Sequence, residues 1–253
     1  IDTKRFVNLS GKRGVLTFDA DQTARTTNIY GEIRVSPIEN LTVIAGGIYA
    51  DGFRKQSQIV PAAVTRQASF DAVSPKMGVL WEPTTDIQFF ANYSKSDEFP
   101  TFVELAQIAA FVPVREQTAW TTELGTRGTL GWVSWDVAVY RANIKREMLQ
   151  FTVGPDIPAA TFNADKTRHQ GVEAAFSAMP TNWLRFRQIW QYSDFRFVGD
   201  VQYGNRRLPV VPIHVLRSEL RLGDDDLHIS PNVEWVPQGA WADYRNTTRN
   251  AGY

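Results

Sequence analysis

Apolar and polar side chains alternate with a period of two along several stretches of this chain. Leu184 and Phe186 fall on one face of their segment, for example, whereas Arg185 falls on the other. The same alternation recurs in three other segments, at residues 133–139, 213–222 and 227–235. Successive side chains of a β-strand point to opposite faces, whereas those of a helix repeat about every 3.6 residues. The pattern therefore predicts strands that have one apolar and one polar face.

Short turns punctuate these segments at nearly even intervals. Each contains residues that favour turn geometry, such as Pro, Gly, Asn or Asp. The centres of the five turns are Ile38, Thr84, Gly131, Thr181 and Asp225, which gives intervals of 46, 47, 50 and 44 residues. Longer connectors lie between the turns, roughly at residues 51–73, 97–117, 151–165 and 197–212. Short turns that alternate with long loops are typical of membrane β-barrels. We expect about ten strands beginning near Thr27, each with about nine to eleven residues or slightly more.

The composition excludes several other classes of protein. The chain has 253 residues, a formal net charge of 0 and no cysteine. A neutral chain has no overall basic field for nucleic acid, and a chain without cysteine has neither thiol nucleophiles nor Cys-ligated metals. No apolar run approaches the roughly 18 residues of a membrane-spanning helix. The first residues lack the pattern of a secretory signal, so we expect a piece of a longer protein or a mature protein without its beginning.

Two soluble folds share parts of this pattern. A β-propeller also repeats at intervals in the forties, but each repeat has four short strands, whereas this sequence has two long ones. A β-sandwich alternates in the same way with its apolar residues inside, so periodicity alone does not separate it from a barrel. Even strand lengths, alternating connector lengths and aromatic residues near strand ends favour the barrel. These aromatic residues are Trp81, Trp132, Trp183 and Trp235 beside the short turns, and Tyr49, Tyr93, Tyr140 and Tyr192 toward the long loops.

The polar face of the predicted strands carries charges of both signs. In a membrane barrel the apolar face meets lipid and the polar face lines the interior, where water, a plug or adjacent strands can pair the charges. We predict a scaffold role for most of them. They are Glu32, Arg34, Lys76, Glu123, Arg127, Asp136, Glu173, Arg185, Arg187, Arg217, Glu219, Arg221 and Glu234.

An ordered set of motifs resembles a known family. Glu123, Gly125 and Arg127 form an E-x-G-x-[KR] pattern, and Asn163 begins a stretch that ends in the G-x-E of residues 171–173. Further similar segments lie at residues 74–83, 89–96, 99–105 and 208–216. Together they span about residues 27–253 and resemble the barrel of TonB-dependent outer-membrane receptors, which import ferric siderophores and related scarce nutrients.

The resemblance implies an all-β fold, an antiparallel transmembrane β-barrel, of which residues 1–253 supply only a part. That part is about ten strands of a barrel of roughly 22. The family also has an N-terminal plug domain and an energy-coupling box, and neither is visible in this sequence. The implied protein lies in the bacterial outer membrane, contacts its lipid, and is not an enzyme. It imports a ferric siderophore or similar ligand with its plug and the TonB energy complex. A passive porin, another outer-membrane barrel and a soluble β-sandwich binding module are the alternatives.

Candidate ligand contacts lie in the predicted long loops. A ferric siderophore is often anionic, so basic and aromatic side chains at the outer mouth are expected to bind it. The three histidines, His169, His214 and His228, have no metal-ligand spacing, and the acidic turn at residues 224–226 lacks the spacing of an EF-hand. We therefore expect no metal site, cofactor or catalytic group. The ligand candidates are Arg54, Lys55, Arg66, Phe99, Phe102, Phe111, Arg115, Lys166, Arg168, His169, Arg206 and Arg207.

Overall fold

The structure is a computed structural model that describes residues 1–107, 110–112, 114–151 and 159–253. Nearly all regular structure in these residues is β. The strands are β1 (Asp2–Leu9), β2 (Lys12–Ile38), β3 (Leu41–Val60), β4 (Val64–Thr84), β5 (Ile87–Glu98), β6 (Ala106–Gln107), β7 (Ala110–Phe111), β8 (Gln117–Leu130), β9 (Val133–Phe151), β10 (Ala160–Thr181), β11 (Leu184–Phe197), β12 (His214–Gly223), β13 (His228–Ile229) and β14 (Asn232–Trp235). One short helix, α1, covers Phe102–Leu105. No helix in the described residues is both long and apolar enough to cross a membrane.

Twelve of the described strands form one antiparallel sheet. Each strand pairs with its neighbours along the chain in the order β1-β2-β3-β4-β5-β8-β9-β10-β11-β12-β13, and β14 also pairs with β12. Strands β6 and β7 form a separate hairpin between β5 and β8. The first and last strands of the large sheet do not pair with each other. Over the described residues the sheet is therefore an open arc of an antiparallel barrel, which confirms the predicted fold class.

Five tight turns lie at one edge of the sheet, which we call the short-turn end. They are residues 39–40, 85–86, 131–132, 182–183 and 224–227, and all five were predicted from the sequence. Gly131 has a φ of 61°, a value that glycine adopts without steric cost. The opposite edge, the long-loop end, carries the connections at residues 61–63 and 198–213. The predicted alternation between short and long connections is therefore confirmed at residues 198–213, whereas the connection at residues 61–63 is a loop of only three residues.

Several strands are longer than the sequence suggested. Strand β2 has 27 residues, β3 has 20 and β4 has 21. The predicted connector at residues 51–73 is wrong, because ladder pairing continues past Asp51↔Asp71 to Gln58↔Val64 and leaves only residues 61–63 as a loop. The predicted start near Thr27 is also wrong, since β1 pairs with the first part of β2. Residues 160–165, assigned to a connector, belong to β10; residues 152–158 of that connector lie outside the described part of the chain.

The strand registers separate the sheet into two faces. One ladder of paired residues runs across the sheet from Ile44 through Gly78, Asn92, Glu123 and Tyr140 to Gly171. We call the face of this ladder the inner face, and directly paired residues of an antiparallel sheet share a face. The opposite, outer face carries the ladder of Leu124, Val139, Val172 and Tyr192.

The outer face is apolar and uncovered. Leu124 is 51% exposed, Val139 is 44% exposed and Phe186 is 42% exposed. No second sheet of the described residues packs on this face, because the only other sheet is the β6–β7 hairpin. A soluble sandwich buries the corresponding side chains between two sheets, so this arrangement favours lipid as their surroundings.

The aromatic residues follow the predicted girdles with two exceptions. Tyr49, Tyr93 and Tyr192 lie on the outer face toward the long-loop end. Tyr140 is on the inner face, because it pairs with Glu123 and Gly171. Trp235 does not lie beside a short turn: it pairs with Leu216, which is also the partner of Trp190. A break at residues 230–231 separates β13 from β14 and carries the chain away from the turn before Trp235.

Buried apolar side chains gather at the long-loop end. One cluster contains Phe70, Leu105 and Val114, with Phe99 and Met148 at its margin. A second cluster contains Ala164, Phe197 and Leu208, and Phe162, Phe195, Tyr203 and Tyr244 pack against it. These clusters fix the connecting segments on the upper part of the wall, where the candidate site lies.

Candidate functional site

A polar recess of about 620 Å³ lies on the inner face of the sheet. Its lining contains charges of both signs, as the sequence predicted for an interior wall. The polar residues around it are Arg34, Asn92, Glu123, Arg127, Asp136, Glu173 and Gln191. They come from six different strands, and each strand contributes every second residue to this face.

Only some of the recess charges have partners on the wall itself. Arg127 donates from Nε to Oε1 of Gln88 at 2.5 Å, and its guanidinium lies 5.5 Å from the ring centroid of Phe90. Asn92 donates to Glu123 at 3.3 Å. Asp136 and Glu173 make no ion pair with any described residue. The wall therefore offers carboxylates to whatever fills the interior, whether water or another polar surface.

A glycine sets the shape of the wall beneath Phe90. A Cβ atom at Gly125 would lie 2.3 Å from Cζ of Phe90 and 2.6 Å from the carbonyl oxygen of Val137. No side chain fits there without displacing the ring or the backbone. The glycine of the E-x-G-x-[KR] motif thus allows the phenyl ring to lie flat against the strand.

Above the recess, the inner face carries an aromatic and ionic group at the mouth of the arc. The imidazole of His169 stacks on Phe195 with ring centroids 4.0 Å apart. Nε2 of His169 lies 3.1 Å from Oε1 of Glu147, although the two atoms are not aligned as a hydrogen bond. The hydroxyl of Thr167 donates to the other carboxylate oxygen of Glu147. The residue Glu147 is only 8% exposed. The stacked rings of His169 and Phe195 can in turn stack against a planar ligand.

Arg54 and Phe99, two of the predicted ligand contacts, are part of the folded wall. Arg54 is 7% exposed and donates from Nη1 to the carbonyl oxygen of Arg25 at 2.9 Å and to that of Phe53 at 3.0 Å. Phe99 stacks on Phe70 with centroids 5.5 Å apart, and its ring fills the space above Gly52. Their contacts indicate a role in holding the long-loop end together.

Arg168 and Arg207 meet on the outer face, at a buried carboxylate. Asp194 is 5% exposed and lies 2.9 Å from Nη2 of Arg207, 3.8 Å from Nη2 of Arg168 and 2.6 Å from Nε of Arg196. Asp194 pairs with Gln170 in the ladder, two residues beyond Tyr192 on the same face. These two arginines therefore point away from the inner mouth.

The remaining predicted contacts are exposed or partly exposed. Lys55, Arg66, Arg115, Lys166 and Arg206 are exposed and make no ion pair with a described residue. Lys55 alternates with Arg54 and so lies on the outer face, as does Lys166, which alternates with Thr167. Two other candidates are aromatic: Phe102 begins helix α1, and Phe111 is among the residues whose side chains the structure does not describe.

A second aromatic group at the long-loop end was not found by sequence reasoning. Tyr244 contacts Phe162, Phe197 and Tyr203, with ring centroids between 5.5 and 5.8 Å away. Its hydroxyl donates to the carbonyl oxygen of Gln150 at 2.6 Å, and burial raises the pKa of Tyr244 to about 12. The contact joins residues 94 positions apart, and no local pattern reveals it.

The described residues thus define the class: the wall of an antiparallel membrane-type barrel with a lipid-facing outer surface and a polar interior. A family model described as "TonB dependent receptor-like, beta-barrel" matches residues 3–253, and the chain belongs to this family. The family's barrels lie in the outer membrane of Gram-negative bacteria, and its members are transport receptors rather than enzymes. No functionally curated protein matches the sequence.

Solved structures share the fold. The siderophore receptor PiuA from Acinetobacter baumannii superposes with a TM-score of 0.74 at 16% identity, over 96% of this chain and 38% of PiuA. The ferric citrate transporter FecA gives 0.75 at 19% identity, over 96% and 37%. The copper transporter OprC gives 0.77 at 13% identity, over 99% and 42%. At these identities the likeness concerns the fold alone, and the chain spans about two fifths of each structure.

Proposed function

We propose that the protein containing this chain is an outer-membrane receptor that binds and imports a ferric siderophore or a similar small chelate. Energy would come from the TonB complex acting on a plug domain inside the barrel. The observation that carries the proposal is the inner face: a mixed-charge recess lies beneath a mouth that holds His169 and Phe195. Family membership and the siderophore receptors among the structural neighbours support it.

The wall would act through position and charge rather than covalent chemistry. Its strands pair their backbone groups with one another, as a structure in hydrocarbon must. The unpaired Asp136 and Glu173 in the recess are suited to contact basic groups of a plug. At the mouth, the stacked rings of His169 and Phe195 present a flat surface to an aromatic or planar chelator.

Exposed cations at the long-loop end would attract an anionic chelate before it reaches the mouth. Of the predicted cationic contacts, Arg66, Arg115 and Arg206 make no ion pair with a described residue and are not assigned to the outer face. Long-range attraction of this kind raises the rate of association and weakens as salt screens the charges. Arg54, which is nearly buried, would support the wall and leave ligand contact to its neighbours.

The test is uptake of radiolabelled ferric chelates by cells that lack the intact gene, with the wild-type gene restored as the control. Loss of energy-dependent uptake of at least one chelate, restored by the gene and abolished without the TonB complex, is the expected result. Uptake that persists without the TonB complex would indicate a passive porin. If uptake of all iron chelates is unchanged and uptake of a copper complex is lost instead, the cargo is a copper complex and not an iron chelate.

Two matched double variants test whether the residues at the mouth bind the chelate. His169→Ala combined with Phe195→Ala removes the stacked rings from the inner face. Val139→Ala combined with Val172→Ala removes apolar groups from the outer face at a similar distance along the strands. We expect the first pair to lower affinity for the chelate by about tenfold, the order of one lost aromatic contact, and the second pair to leave it unchanged.

A further inference from the structure

A group of cations occupies the outer face of β9, β10 and β11 near the long-loop end, together with Arg207 of the adjoining connection at residues 198–213. We call it the outer basic patch, and its members are Arg141, Lys145, Lys166, Arg168, Arg196 and Arg207. Arg141 and Lys145 alternate in phase with Val139, and Arg168 alternates in phase with Val172. Both valines belong to the apolar outer ladder. The patch therefore continues the lipid-facing surface upward and does not line the recess.

Strand register brings like charges in the patch directly opposite each other. Lys145 pairs with Lys166, Arg168 pairs with Arg196, and Arg196 forms a bridge with Arg207. Like charges at directly opposed positions destabilise a sheet. Three pairs of like charges therefore lie within this patch. The stability of the isolated sheet does not explain them, so we infer that a binding partner of the patch does.

The described residues supply little negative charge to balance the patch. Asp194 is the carboxylate that forms ion pairs with it, and it engages only Arg168, Arg196 and Arg207. Lys145 and Lys166 are exposed and make no ion pair within the described residues. The nearby Asp165 is exposed and likewise makes none there. An anion from outside the chain would complete the patch.

The distance of the patch above the apolar outer ladder indicates which anions it can reach. Arg141 lies two residues beyond Val139, and Lys145 lies six residues beyond it. With about 3.4 Å per residue and a strand tilt of about 45°, these positions stand roughly 5 to 15 Å above the apolar ladder. Tyr192, in that ladder, pairs with His214 on the same face, and aromatic residues mark the interface with lipid headgroups. The cations thus stand at and just above the headgroup level.

We propose that the outer basic patch binds the phosphate groups of an outer-leaflet glycolipid, with diphosphorylated lipid A as the chemical type. Lysine ammonium groups and arginine guanidinium groups both bind phosphate, and arginine can do so through two parallel hydrogen bonds. Asp194 holds the three arginines together at the lower part of the patch, and the two lysines extend it upward. The proposal rests on an outer-membrane location and is independent of which nutrient is imported.

The test is a titration of the full-length protein, delipidated in a neutral detergent, with diphosphoryl lipid A and with the same lipid after removal of its phosphates. Binding is read by native mass spectrometry. The key variant is Lys145→Gln combined with Lys166→Gln, and the control is Arg185→Gln combined with Arg187→Gln, which removes two charges from the inner face. At about fivefold for each lysine near an anionic surface, the key variant should weaken binding about 25-fold. The control should match the wild type.

Three results of this experiment would overturn the proposal that the patch binds lipid phosphate. Equal affinity of the key variant and the wild type, or equal affinity for the two lipids, would overturn the proposal. Full displacement of the lipid by excess inorganic phosphate would assign the patch to free anions and would also overturn it. Lys145→Glu is the second variant, because the new carboxylate can pair with Lys166 and preserve the sheet while it repels phosphate; it should weaken binding at least as much. This experiment measures lipid binding and not uptake. Its result can therefore be interpreted even if the protein proves not to transport iron.

Discussion

The imidazole ring of His169 lies almost parallel to the ring of Phe195, with an angle of 4° between the planes and 4.0 Å between the centroids. The two residues are directly opposed in the β10–β11 ladder. Glu147 approaches the imidazole from β9, which places three strands behind this one surface. The mouth is therefore built on paired strands of the wall, and Leu208 of the connection at residues 198–213 supports it by donating its backbone N–H to the carbonyl oxygen of Phe195 at 2.9 Å.

Replacing Phe195 with Leu should remove the ring contact while an apolar side chain remains. We expect the free energy of unfolding to fall by about 1 kcal/mol, the usual contribution of an aromatic pair beyond its buried area. Urea unfolding of the full-length protein in lipid vesicles measures the change. Phe186→Leu is the control, since Phe186 is on the outer face and stacks on no aromatic ring of the described residues. A larger loss for the control than for Phe195→Leu would contradict the stacking contribution.

The separation of the two faces can be tested with single cysteines, because the chain has none of its own. Val139→Cys places a thiol on the outer face, and Glu173→Cys places one in the recess. In proteoliposomes, a membrane-soluble maleimide should label the first thiol and a charged, water-soluble maleimide should label the second. The reverse labelling pattern would show that the faces have been assigned wrongly.

Asp194→Asn should destabilise the protein, because it leaves Arg168, Arg196 and Arg207 close together without their carboxylate. Loss of one partner from a nearly buried ionic group commonly costs about 3 kcal/mol. Thermal unfolding in detergent measures the loss, and Asp165→Asn serves as the exposed control with an expected effect near zero. Adding Arg196→Gln to Asp194→Asn should recover part of the stability, and no recovery would argue against charge repulsion as the cause.

Tyr244 should make stability fall at high pH. Its pKa is raised by burial to about 12 in the folded chain, whereas an unfolded tyrosine titrates near 10. The folded state therefore holds this proton more tightly. The stabilisation is fully present below pH 10 and is lost as the pH rises toward 12. The ultraviolet absorbance of the phenolate should show a phenol that titrates near pH 12 and is lost in Tyr244→Phe, and a wild-type titration without that phenol would contradict the assignment.

The features that sequence reasoning found are those with a local cause. The short turns depend on residues such as Gly131, whose φ of 61° suits glycine. The faces follow from alternation, and the same alternation places Tyr140 inward with Asp136, although its position near a strand end suggested a girdle. Alternation alone therefore predicts the inward position of Tyr140, whereas position along the strand does not determine which face a residue occupies.

The features that it missed depend on surroundings that no local pattern contains. Residues 51–60 and 64–73 form strand, but above the bilayer neither face needs to be apolar, so their polar composition is typical of a loop. The meeting of Arg168 and Arg207 at Asp194 requires the register of β10 and β11 together with the path of residues 198–213. The burial of Arg54 likewise depends on its contacts with the neighbouring strand at Arg25.

Because Gly125 has no side chain, the position of the Phe90 ring determines the width of the interior at this level. Because Phe90 lies directly against the strand there, the free width at this level depends on how deeply one neutral ring sits in the wall. A methyl group at position 125 would displace that ring or the backbone at Val137, and it would change the width of the interior at this level without adding or removing a charge. Size exclusion and charge selection are therefore separable properties of this wall, and each can be changed through its own residues.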